Sequence, residues 1–66
     1  MNQFKKLRLI ACKTVDEAAE EMGVNRASVY KWETGKRCPN PSKISSIANV
    51  YGCSVEAVVE AYEAQN

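Results

Sequence analysis

Apolar residues recur along this chain at intervals of three and four, and the rhythm breaks at a few sharply marked places. Phe4, Leu7 and either Ile10 or Ala11 share one side of a predicted helix over residues 2–12, with Lys5, Lys6 and Arg8 between them. Local signals specify its end poorly. The next start is sharper: Thr14 followed three residues later by Glu17 is a capping-box pattern, and Asp16 and Glu17 place negative charge in the first turn. Val15, Ala18, Ala19 and Met22 then supply an apolar face, and Gly23 can take the positive φ that closes a helix over about residues 15–22. Asn25 is a good N-cap, Val29 and Trp32 face inward, and Gly35 ends a helix near residues 26–34. Arg26, Ala27, Tyr30 and Lys31 are left pointing outward from it.

The prolines in KRCPNP make that stretch a surface loop. Asn40 can cap a fourth helix with Pro41 in its first position, where the missing N–H costs nothing, and Ile44, Ile47, Ala48 and Tyr51 face inward until Gly52. Ser54 caps a fifth helix in which Val55, Val58, Val59 and Tyr62 alternate with Glu56, Glu60 and Glu63. No alternating apolar run is long enough for a sheet. The expected fold is all-α: five short helices forming one domain over residues 1–66, the second and third making a short helix, tight turn and short helix.

With 66 residues, of which 45% are hydrophobic, the chain can bury one core but not two. The formal net charge of +1 says little about partners; its distribution says more. Lys5, Lys6, Arg8 and Lys13 are followed by Asp16, Glu17, Glu20 and Glu21, and then by Arg26, Lys31, Lys36, Arg37 and Lys43 against the single Glu33. Cys12, Cys38 and Cys53 cannot all pair within the chain, none stands in a CxxC arrangement, and no histidine is present, so neither a Cys/His zinc finger nor any other metal or cofactor site is expected. Reduced thiols, and the absence of any apolar run near the roughly 20 residues that cross a bilayer, point to a cytoplasmic protein. Catalysis has little support, because histidine and a Gly-rich phosphate loop are missing and no pair of carboxylates stands in an evident pocket.

A helix that reads DNA must carry short or hydrogen-bonding side chains outside and apolar anchors behind, since an α-helix fits the major groove. Residues 26–34 meet that requirement. Arg26 can bond bidentately to guanine, Ala27 can touch a thymine methyl, and Lys31 can reach a base or a phosphate. Thr14, Asn25, Thr34, Lys36 with its neighbour Arg37, and Lys43 are candidate phosphate contacts. The N–H groups opening the second helix could also receive a phosphate, although Asp16 and Glu17 add repulsion there. Taken singly, a surface Arg or Lys more often solvates a helix face than reads a base.

The order of residues narrows the choice. Leu7-Arg8, Thr14-Val15-Asp16-Glu17-Ala18-Ala19, Gly23-Val24-Asn25-Arg26, Val29 through Arg37, Pro39-Asn40, Ile47-Ala48 and Gly52-Cys53-Ser54 stand in the order and spacing of one family. From Phe4 to about Val59 the chain resembles the helix-turn-helix family of phage lambda repressor and Cro-like regulators. The resemblance implies that the third helix enters the major groove with Arg26, Ala27 and Lys31 as base readers, assisted by Asn25 and Tyr30. It implies an ion pair between Arg8 and Glu33 tying the first helix to the end of the third, and action as a dimer on an inverted repeat. Three positions depart from the pattern. Cys12 stands where glycine often ends the first helix and Lys13 where an apolar residue usually precedes the threonine, so the first turn is a place to expect altered geometry. Val15 occupies the position of a phosphate-bonding glutamine and cannot serve in that way.

The expected function is sequence-specific binding of double-stranded operator DNA by a homodimeric transcriptional regulator, a repressor by preference, with Val55, Val58, Val59 and Tyr62 at the dimer contact. With no sensing domain expected, its signal would come through a regulatory protein partner, degradation, concentration or operator competition. Two alternatives stand beside it: a protein-interaction module, such as an antitoxin or a regulatory subunit, and a non-specific DNA-associated protein.

Overall fold

The computed structural model describes residues 2–65, and every regular element among them is helical. Helices α1 (Gln3–Ile10), α2 (Val15–Met22), α3 (Arg26–Glu33), α4 (Ile44–Tyr51) and α5 (Val55–Gln65) follow in order, with a 3-10 turn at Pro41–Lys43 leading into α4. The fourth start therefore differs from a continuous α-helix. Asn40 Oδ1 accepts from the Ser42 N–H at 3.0 Å, and the proline-led first turn winds tightly before α-helical bonding begins.

Side chains start the helices. Thr14 and Glu17 form the reciprocal capping box of α2, with Glu17 N–H donating to Thr14 Oγ1 at 3.1 Å and Thr14 N–H donating to Glu17 Oε1 at 2.8 Å. Asn25 accepts from the Ala27 N–H, and Ser54 from the Ala57 N–H. Asn2 caps α1 by accepting from Phe4 N–H at 2.7 Å, so this helix starts one residue inside its expected limit.

A common device stops α1 to α4. The left-handed residue bonds back to the carbonyl three positions earlier, and its successor to the carbonyl five positions earlier, as in Gly23 to Glu20 and Val24 to Ala19. Gly23, Gly35 and Gly52 fill the left-handed position after α2, α3 and α4; after α1 it is filled by Cys12, at φ +58°. The first turn thus keeps the geometry of the other three, with an L-residue in a conformation that suits glycine.

The core is built from Phe4, Val15, Ala18, Ala19, Met22, Val29, Trp32, Ile47, Ala48, Tyr51, Val58 and Ala61. Helix α2 packs chiefly on α3 and α4 on α5, while α1 lies across α3 and α5. The open choice in α1 falls to Ala11, half-buried against the core, while Ile10 is 75% exposed. One correction concerns α5. Val58, placed above at a dimer contact, is completely buried, because its side of the helix faces α4 and the core; Val55 and Val59 are the exposed valines. Tyr62 is half-buried, its ring edge-on to Phe4 at a centroid distance of 5.9 Å.

Candidate nucleic-acid interface

Helix α3 is held hardest at its C-terminal end. Arg8 Nε donates to Glu33 Oε2 at 2.6 Å and Arg8 Nη2 to Glu33 Oε1 at 3.0 Å, a two-point pair with side chains only 10% and 6% exposed. Arg8 Nη1 donates to the Lys13 carbonyl at 2.9 Å, so one guanidinium joins α1, the α1–α2 turn and the end of α3. The Glu33 hydrogen bond raises the Arg8 pKa above its ordinary value, with burial opposing. Asn2 Nδ2 adds a bond to the Trp32 carbonyl at 3.1 Å. Val29 and Trp32 anchor the inner side of α3 in the core.

With its rear and end held, α3 exposes Arg26, Ala27, Tyr30 and Lys31 together. Arg26 is the first residue of the helix, and its guanidinium lies 6.0 Å from the centre of the Tyr30 ring. Its Nε is also 3.2 Å from Asp16 Oδ1 in the first turn of α2. Sequence reading misses this pair, because the residues sit on different helices and meet only when the turn folds α3 across α2. Asp16, Arg26 and Tyr30 line an open cleft of about 390 Å³ together with Leu9, Cys12 and Thr14.

The phosphate candidates divide. Lys36 and Arg37 are exposed on the loop leaving α3, and Arg37, Lys43, Ser28 and Asn40 line a second open cleft of about 330 Å³. Nothing in the sequence pattern singles out Ser28; folding brings it beside the basic loop. Asn25 spends Oδ1 on the α3 cap, leaving its amide N–H groups as donors. Thr14 lies at the α2 start, where the capping box already uses its own N–H and that of Glu17. That bonding holds the Glu17 carboxyl below its ordinary pKa, led by the Thr14 N–H. Thr34 is exposed, and its hydroxyl donates to the Tyr30 carbonyl at 2.9 Å, a bond that contact with a phosphate would replace. Val15 is buried in the core, as its apolar side chain requires.

Among the described residues no cluster of His, Cys, Asp and Glu could hold a metal, and no helix is long and apolar enough to cross a membrane. No curated protein and no solved structure matches the chain. The helix-turn-helix family model matches residues 4–58, from the buried ring of α1 to the buried valine of α5, and so takes in α2, its turn and α3 whole. Such a domain is consistent with DNA-binding transcriptional regulation in general. By that match, which covers most of its length, the chain belongs to the helix-turn-helix family.

Proposed function

We propose that this protein is a lambda repressor and Cro-like regulator that binds an inverted-repeat operator as a homodimer and represses transcription. The reading rests above all on the division of α3: Val29 and Trp32 are buried, while Arg26, Ala27, Tyr30 and Lys31 are exposed along its outer side, from the first residue to the last turn. In this reading Arg26 and Lys31 address base edges, Ala27 and Tyr30 line the approach, and Lys36, Arg37, Lys43 and the Asn25 amide meet phosphates. Val55 and Val59, one turn apart on α5 and 45% and 36% exposed, provide an apolar strip for a twofold contact. Two recognition helices would then lie about 34–36 Å apart, one turn of B-DNA.

Selection of duplexes from a randomised pool by the purified chain, followed by footprinting, tests the proposal. A recovered palindromic site bound with orders of magnitude of preference supports it. Equal affinity for unrelated duplexes means a non-specific DNA-associated protein, and no salt-dependent association at all means a protein-interaction module. On the recovered site, Arg26→Ala should lower discrimination by about 1–3 kcal/mol. Lys36→Ala should instead weaken all duplexes alike and lower the logarithmic salt slope by roughly one unit.

A further inference from the structure

Arg26 is held from two sides before any DNA arrives. The Asp16 carboxylate stands 3.2 Å from its Nε, and the Tyr30 ring centre lies 6.0 Å from its guanidinium carbon. The Arg26 and Asp16 side chains are 62% and 68% exposed, so in free solution the pair adds little to stability. Its strength rises where water is excluded, which is the situation of α3 pressed into a groove.

From this contact we propose that Asp16 is a positioning residue that sets base specificity through Arg26; the proposal deepens the DNA-binding reading above and rests on it. A guanidinium has more N–H donors than one carboxylate can occupy, so an arginine steadied by Asp16 still presents donors to the O6 and N7 acceptors of guanine. A phosphate is different. It competes with Asp16 for the same guanidinium and is repelled by the same carboxylate. Asp16 therefore withholds Arg26 from sequence-independent backbone contacts and keeps it for a base edge, lowering general affinity while sharpening discrimination.

The test uses Asp16→Asn and, as a second neutral replacement suited to a helix first turn, Asp16→Ser, each checked for folding by circular dichroism. Binding is measured on the selected duplex, on duplexes altered at the base pair sensitive to Arg26→Ala, and on random DNA. Both variants should lose roughly 3- to 10-fold of the preference at that base pair, a part of what a bidentate contact supplies, and should bind random DNA more tightly. In an Arg26→Ala background the Asp16 replacements should leave preference unchanged, which a merely structural role would not produce. Undiminished preference in both variants beside a discriminating wild type overturns the proposal alone, as does an equal loss in the Arg26→Ala background. A wild type that shows no base preference overturns the DNA-binding reading and this proposal with it.

Discussion

Arg8 sits where a charge is costly and is kept there by three hydrogen bonds, two to Glu33 and one to the Lys13 carbonyl. Arg8→Ala leaves Glu33 buried without its counter-charge, and Glu33→Ala strands the guanidinium, so each should cost about 3–5 kcal/mol. Because one interaction is lost in either case, the double variant should cost far less than the sum; additive losses in urea denaturation would show that the pair does not act as a unit. Cys12 poses the opposite case, a residue in a conformation its side chain disfavours, with only a 3.8 Å contact from Sγ to the Ile10 carbonyl in return. Cys12→Gly should raise stability by a few tenths to about 1 kcal/mol, the relief of left-handed strain being partly offset by the greater freedom of unfolded glycine. The denaturation midpoint reports the sign.

At the scale of elements, what is local is legible in the sequence and what is tertiary is not. Thr14 with Glu17, Asn25, Asn40 and Ser54 announce four helix starts, because a cap is a bond between residues two or three apart. Gly23, Gly35 and Gly52 announce three stops, because the left-handed φ that ends each helix is open to glycine by its own chemistry. The limits of α1 are hidden, since its stop is carried by a cysteine and its cap, Asn2, also reaches across to the Trp32 carbonyl. The outward face of α3 follows from periodicity, whereas the Asp16–Arg26 contact depends on how two helices cross. Periodicity likewise leaves open which of four apolar residues on α5 turns inward; burial against α4 takes Val58 and leaves Val55 and Val59 outside. If those two form the proposed twofold contact, Val59→Lys should weaken self-association about tenfold or more while leaving the monomer folded. Sedimentation over micromolar concentrations, with and without the selected duplex, measures it; an unchanged association constant removes α5 from the contact.

The molecule as a whole is small, with extents of 25 × 23 × 23 Å, and its core reaches the ion pair that steadies α3. Tyr51, buried on α4, feels both: burial first and the Glu33 charge second push its phenol up to about 12, with Arg8 opposing. Since the folded pKa lies above the unfolded value near 10, the neutral phenol's contribution is complete below that pH and disappears as pH rises through the folded value. Stability should fall by up to about 2–3 kcal/mol between pH ~10 and ~12, and Tyr51→Phe should flatten that fall; equal slopes for the two chains would refute the assignment. The edge-on meeting of Phe4 and Tyr62 has a kinetic consequence. Helices α2 with α3, and α4 with α5, can dock as sequence neighbours, but joining α1 to α5 closes a loop of nearly the whole chain, the most expensive closure available. That closure should come after the rate-limiting barrier. In stopped-flow experiments followed through the buried Trp32, Phe4→Leu should speed unfolding and barely alter folding, with φ below about 0.3, whereas Val29→Ala, on the buried side of α3, should slow folding with φ above about 0.5. The two ends of the chain would then be the last part to assemble and the first to come undone.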